Sequence, residues 1–470
     1  MAKQITQQTF DEVVRENMSE FDMDADEAVD DAVKQFESQG VNLSIIVKDP
    51  KLYASGDDGG PQVHPVIEAI QDLTSSLESS EATKTQFCDY LAMIQKECDI
   101  DLARRCLAGS NGAYPALLKV MISHQEDPNM ICNALASFCS LTNGQPDLLT
   151  SEGIELLISL LKRYKDNPDS LVLIVRAIRL NCVKHESNRQ AFISLDLIIL
   201  LTDGLKEHKS KPSLIKEICT CLRALTLDDD IRVPFGKAHD NAKTIVTEGD
   251  ALKAILQLCE EHENNISVLA EMFLTLAALV VRNEFCKETM DRGGVKLIMK
   301  AFNGGVKDKG IVRQALIVLK ALAGNDEVKV EIAKLGGIEL IVLALTTHQT
   351  NAQIAEAACR VLTAVTLRNT DNSKCVMDCY GHQHIVQAMK LHPNEVNVQK
   401  YACMALRNLV TRNKENSPSI LSLGAESLIN EALAHHKGVE DEAKAVLRDL
   451  GCKVEFKELW KGTGATLEAE

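Results

Sequence analysis

Glu327-Val-Lys-Val-Glu-Ile-Ala-Lys-Leu-Gly336-Gly337-Ile-Glu-Leu-Ile-Val-Leu-Ala-Leu-Thr-Thr347, followed by residues 353–366, decides the fold. The first eight residues suit a short helix that stops at the glycine pair, where a positive φ costs little. Residues 338–347 are apolar almost all round, the pattern of a helix packed on several sides. Residues 353–366 place Ala357, Ala358, Val361, Leu362 and Val365 on one face, small enough for neighbouring helices to approach closely. Three helices of this kind cannot bury their apolar faces alone, so copies must stack.

Copies are present. The opening of the middle helix recurs at Gly112-Ala-Tyr-Pro-Ala-Leu-Leu, Gly153-Ile-Glu-Leu-Leu-Ile, Asp196-Leu-Ile-Ile-Leu-Leu and Ala251-Leu-Lys-Ala-Ile-Leu. It returns at Gly294-Val-Lys-Leu-Ile-Met, Gly337-Ile-Glu-Leu-Ile-Val, Gly381-His-Gln-His-Ile-Val and Gly424-Ala-Glu-Ser-Leu-Ile. The spacings are 41, 43, 55, 43, 43, 44 and 43 residues. A helical period of roughly 40–47 residues predicts a solenoid whose core grows in one dimension. Such an array presents a long concave surface, so binding is the first functional expectation.

Composition agrees. Hydrophobic residues make up 45% of 470 and aromatics only 4%, so Leu, Ile, Val and Ala do the packing. A net charge of −16 argues against a sequence-independent phosphate-binding surface. The 15 cysteines lie mostly on apolar helix faces without a disulfide framework, as in a reducing compartment. The polar start Met1-Ala-Lys-Gln-Ile-Thr-Gln reads as no signal peptide, and a cytoplasmic, also nuclear, location is expected. No segment has the length and apolarity to cross a bilayer.

Residues 1–47 read as an acidic amphipathic helical segment, with Phe10, Val13 and Val14, then Ala28, Val29, Ala32, Val33 and Phe36, at helical spacing. Residues 1–40 carry eleven Asp and Glu against Lys3, Arg15 and Lys34, a net −8. Residues 48–62 read as a flexible linker, 63–111 as an irregular helical cap, 112–460 as repeats and 461–470 as a tail. The acidic segment is expected to cap the exposed end of the core; the alternative is that it folds back onto Arg176, Arg179 and Arg223.

Tyr401-Ala-Cys-Met-Ala-Leu-Arg-Asn-Leu-Val410 resembles the Ala-Leu-x-Asn-Leu third helix of the armadillo repeat family. With the glycine pairs at 293–294 and 336–337, the resemblance covers about residues 100–460. Phe36-Glu-Ser-Gln-Gly, Asn143-Gly-Gln-Pro-Asp, Leu227-Asp-Asp-Asp-Ile-Arg-Val-Pro-Phe-Gly236 and Val281-Arg-Asn-Glu-Phe-Cys are similar to a vertebrate-type branch of that family. The resemblance implies an all-α, right-handed superhelical solenoid of about eight repeats. It also implies a non-enzymatic protein-interaction scaffold, and it brings no catalytic residue and no cofactor.

Nuclear-transport adaptors of the family, the alternative reading, repeat Trp and Asn four residues apart on the third helix. Here the Trp position reads Asn133, Arg176, Thr220, Leu274, Ile317, Arg360, Met404 and Ala445, and only Asn408 occupies the Asn position. The position before it is basic in five of eight repeats: Arg179, Arg223, Lys320, Arg407 and Arg448. Arg176 and Arg360 share that face through i,i+3 spacing. These residues with Asn408 are the candidate groove, suited to an extended or acidic segment of a protein partner. The competing reading is that the arginines pair with neighbouring Glu.

Three further features are weighed. The 55-residue spacing carries an insertion at 228–243, with Phe235 beside Arg232, Lys237 and His239 as a candidate anchor; otherwise it is a tolerated surface loop. Cys375, Cys379, His382 and His384 are zinc-type ligands, but thiols at i,i+4 pack as small apolar groups, so no metal is expected. His124, His208, His262, His348 and His435 close middle helices, where a ring can meet the helix's own terminal carbonyls. No nucleophile–base pair, P-loop or dinucleotide fingerprint occurs. A monomer with no nucleic-acid or membrane partner is expected.

Overall fold

The computed structural model describes residues 3–53, 63–79 and 83–454. Among them are 27 α-helices, no named strand, and one isolated bridge between Lys3 and Val41. Most of the expected linker (54–62), the end of the repeats around Trp460 and the tail (461–470) lie outside the described residues.

Helices α1 (Gln7–Glu20) and α2 (Ala25–Ser38) start at Thr6 and Asp24, whose side-chain oxygens accept from Thr9 N and Glu27 N. Their apolar faces close on each other and on the following loop, burying Phe10, Val14, Ala28, Val29, Ala32, Phe36, Val41, Leu43 and Ile46 in one core. The segment is thus a small module with its own interior. Residues 48–53, expected in the linker, belong to it: Pro50–Leu52 form a 3-10 turn, and the Tyr53 hydroxyl donates to Asp11 at 2.6 Å.

The chain divides into two compact units, the first including this module and ending at Ala254, the second beginning at Ile255. In the first, α3 (Pro65–Glu78), α4 (Lys84–Ile100) and α5 (Leu102–Ser110) precede α6 (Ala113–Ser123) and α7 (Pro128–Thr142). Then come α8 (Ser151–Arg163), α9 (Pro168–Cys182), α10 (Glu186–Ile193), α11 (Leu197–Glu207), α12 (Pro212–Leu225) and α13 (Ala238–Thr247), and the boundary falls inside α14 (Ala251–Glu261). The long helices α4, α7, α9 and α12 pack side by side in that order.

The second unit adds α15 (Ile266–Leu279), α16 (Asn283–Asp291), α17 (Gly294–Gly304), α18 (Lys309–Leu322), α19 (Asp326–Lys334), α20 (Gly337–Thr347) and α21 (Ala352–Thr366). It ends with α22 (Thr370–Asp378), α23 (Gly381–Leu391), α24 (Val396–Val410), α25 (Ser417–Leu421), α26 (Ala425–His435) and α27 (Glu440–Leu450). Its third helices α15, α18, α21, α24 and α27 again pack in series. Asp127, Asn167, Asn265, Asp308 and Asn351 cap third helices with their side chains, which sets where each begins. The three-helix repeat read from 327–366 is present, except that Leu343 on α20 faces outward, so the middle helix keeps one exposed strip.

The recurring turn divides its labour between two residues. Gly293 and Gly336 take positive φ, 80° and 74°. The second glycine of each pair is needed for space: a Cβ on Gly337 would sit 2.5 Å from Ile332 Cγ2, and one on Gly294 2.7 Å from Thr289 Cγ2. At Gly381 the positive φ belongs instead to Tyr380, at 59°, and Gly381 is the close-approach residue against Val376. Gly153 is no turn glycine either. It lies inside α8, against Tyr114, and a 3-10 turn at Pro146–Leu148 replaces the first helix of that repeat.

Histidines lock repeat to repeat. The Nε2 atoms of His208, His348, His392 and His436 lie 2.6, 2.8, 2.9 and 2.7 Å from the carbonyls of Lys165, Val306, Gln349 and Pro393, one repeat earlier. The sequence reading sent such rings to their own helix. That holds for His435, whose Nδ1 meets Glu431 O, but His348 already spends its backbone N–H on Ala344 O and its ring reaches out. His124 packs edge-on against Phe87.

Candidate functional site

In the first unit α9 puts Arg176 and Arg179 on one face, and both guanidiniums reach Glu217 on α12, at 3.3 and 2.6 Å. Arg223, two turns further along α12, directs Nη2 to Thr220 Oγ1 at 3.3 Å. In the second unit Arg360 of α21 holds Glu356 at 2.9 Å and stacks over the Tyr401 ring of α24, 4.2 Å from its centroid. Arg407 of α24 meets Asp449 of α27 at 2.9 Å, and Arg448 meets the same carboxylate at 3.0 Å. Burial raises the Asp449 carboxyl, but these two guanidiniums outweigh it and hold the group below the usual carboxylate range. Asn408 donates to Thr363 O across to α21 at 2.9 Å.

The basic stripe is therefore largely a set of ion-paired ties. Arg176, Arg179, Arg360, Arg407 and Arg448 all meet carboxylates. Lys320 differs: it is exposed on α18, and no carboxylate meets it among the described residues. One and two turns before it on the same face stand Ile317 and Arg313. Arg313, which the sequence reading missed, is likewise without a carboxylate among the described residues. These residues, with Leu316 on α18 and Gln353, Glu356, Ala357 and Arg360 on α21, line a cavity of about 250 Å³.

The insertion is a clamped loop. Its extra residues fall between α12 and α13, while 238–243 belong to α13, the first helix of the next repeat. Asp229 Oδ1 meets the fully buried Arg189 at 2.6 Å, and both its oxygens accept from Lys184 N. Asp230 accepts from Glu186 N at 2.9 Å and from Arg232 at 2.8 Å; Arg232 also reaches Asp147 at 2.6 Å, and Lys237 N donates to Glu186. The Arg232 hydrogen bond leads the causes that hold the Asp230 carboxyl far below its usual range. The clamp turns apolar side chains outward: Ile231 is 94% and Phe235 92% exposed. His239 is exposed on α13, and Arg232, beside Phe235 in sequence, is already engaged.

The Cys/His group does not converge. Cys379 Sγ turns to Val376 O, His382 Nε2 lies 3.1 Å from Ser419 Oγ, and His384 Nδ1 lies 3.5 Å from Thr346. Among the described residues no three His, Cys, Asp or Glu are grouped as a metal would need, and no helix is long and apolar enough to cross a membrane. The N-terminal module lies beside the cap helices: Ile5, Gln7, Asp11 and Ile46 line one cavity with Ile67 of α3 and Leu107 of α5. Arg176 and Arg179, offered as an alternative resting place for the module, are occupied by Glu217.

A family model described as the armadillo repeat-containing protein 6 N-terminal domain matches residues 2–64, and one described as ARMC6 matches residues 66–469. Armadillo repeat-containing protein 6 of Homo sapiens is 43% identical over 484 residues, covering 99% of this chain and 94% of its own. The Drosophila melanogaster homolog is 40% identical over 468 residues, covering 98% of each. Among solved structures, an engineered protein superposes with a TM-score of 0.60 at 18% identity, over 83% of this chain and 99% of its own. A chain from a study of the phosphorylation-controlled interaction between cadherin and beta-catenin gives 0.51 at 17%, over 82% and 83%. At such identities the likeness concerns the fold, an all-α armadillo-repeat solenoid.

Proposed function

The chain belongs to the armadillo repeat-containing protein 6 family, and from that premise we propose that it is a non-enzymatic interaction scaffold. It binds an extended segment of a partner protein along the third-helix faces of its repeats. Armadillo solenoids are commonly protein-interaction scaffolds and typically lack enzymatic activity. The observation that carries the reading is the row of half-buried side chains on the serially packed third helices, Ile317, Arg360 and Met404 among them. The transport-adaptor alternative loses ground here, because the one Asn of the ladder spends its amide on Thr363 O.

Photo-crosslinking tests it. A benzophenone residue is placed at Ile317 or Met404 on third helices, or at Leu343 or Ile199 on exposed strips of middle helices. Protein adducts are expected at the first pair and absent at the second. Adducts at Leu343 and Ile199 alone would refute the groove reading.

A further inference from the structure

Across the third-helix faces nearly every cation recognised from the sequence already holds a carboxylate from its own or the neighbouring helix. Helix α18 breaks the pattern. Arg313 and Lys320 stand two turns apart on one face, with Ile317 between them, and neither meets a carboxylate among the described residues. Among the described residues, the one carboxylate lining the adjoining cavity, Glu356, is taken by Arg360 at 2.9 Å. Arg360 is itself fixed by its stacking on Tyr401, and its Nε is buried without an acceptor. The cavity therefore offers two uncompensated cations over an apolar floor of Leu316, Ile317 and Ala357.

From this geometry we propose that the cavity between α18 and α21 is an acidic-peptide site, in which Arg313 and Lys320 each take a carboxylate of an extended partner segment. This rests on the scaffold reading above and gives it a chemistry. Seven residues of helix separate the two cations by roughly 10 Å along the axis, too far for one carboxylate to bridge, so the segment carries at least two Asp or Glu. An apolar side chain between them covers Ile317 and Ala357. The surrounding chain is net −16, so attraction is local to this cavity and weakens as salt screens beyond about 8–10 Å.

The test uses the full-length protein and a fluorescein-labelled 12-residue peptide of alternating Glu and Leu, against the same peptide with Gln for Glu. Anisotropy is expected to rise with the Glu peptide only. The double variant R313E/K320E should weaken binding by about tenfold or more, while K162E/K165E, the same charge change at exposed lysines around the end of α8, leaves it unchanged. All four positions lie outside the core, and matched melting temperatures establish that the variants fold. Equal loss in both variants, or none in R313E/K320E, overturns the proposal.

A photo-reactive version of the Glu peptide separates this failure from that of the scaffold reading. Adducts on α18 and α21 support the site. Adducts on other third helices overturn the site and leave the scaffold reading standing. Adducts confined to middle helices overturn both.

Discussion

At the residue scale, the turn before each middle helix contains two separable demands, freedom of φ and absence of a Cβ. Gly337→Ala meets Ile332 Cγ2 at 2.5 Å and backbone at 2.7 Å, so a loss of roughly 2–4 kcal/mol is expected in thermal or urea unfolding. Tyr380 is exposed and holds φ 59°, so Tyr380→Gly should be neutral or stabilising by up to about 1 kcal/mol in the same assay. Destabilisation by Tyr380→Gly would show that no strain is held there. The sequence displayed the glycine rhythm but could not tell the two demands apart. Gly424 stood in the register of Gly337 because both precede an apolar run, yet one answers to its own φ and the other to Ile332. Thiols give a second residue-scale expectation. Burial pushes Cys182, Cys359 and Cys403 up to about 12, and only the thiolate reacts. At pH 8 iodoacetamide should leave these three unmodified in the native protein, while after denaturation mass spectrometry should find all 15 labelled.

At the element scale, ties between repeats decide what single helices cannot. His348 is buried and bonds Val306 O at 2.8 Å, so His348→Ala should cost about 1–3 kcal/mol by orphaning that carbonyl. The exposed His239→Ala should cost less than about 0.5 kcal/mol, and equal losses would count against the interrepeat bond. The insertion makes a matching prediction. Asp230→Asn removes the charge that holds Arg232, so trypsin should cut at Arg232 or Lys237 several-fold faster than in the wild type. The carboxyl is depressed in the fold, so its contribution is complete above the unfolded value near 4 and fades only as pH falls towards the lower folded value. Wild-type resistance should therefore persist at pH 5. A protease active from pH 7 down to 5 reads this directly, and loop cleavage rising over that range relative to an unstructured substrate would contradict it. The basic stripe was legible as residue types, while its pairing was not. Glu217 lies 41 residues from Arg176, and Asp449 lies 42 from Arg407, separations that only helix stacking closes. Arg313 was missed because it sits two turns before the position whose basic residues stood out.

At the scale of the whole molecule, the acidic start of the chain behaves as a piece with its own interior. Deleting residues 1–64 should leave the helical content of the repeats intact in far-UV spectra. It should lower the melting temperature by a few degrees, since Ile67 and Leu107 lose their cover. An unchanged melting curve would deny the module any capping role. Its helices were legible from spacing and caps. Its closure was not, because Val41, Leu43 and Ile46 follow Gly40 without helical rhythm and join the core through a loop. The histidine bonds carry a consequence of a mechanical kind. In the second unit the rings of His348, His392 and His436 fasten each repeat to the loop before it, so tension on the chain ends is borne by one such rivet at a time. A stretched molecule should pay out in a sawtooth, each tooth releasing the 43–44 residues between rivets, roughly 150 Å of contour.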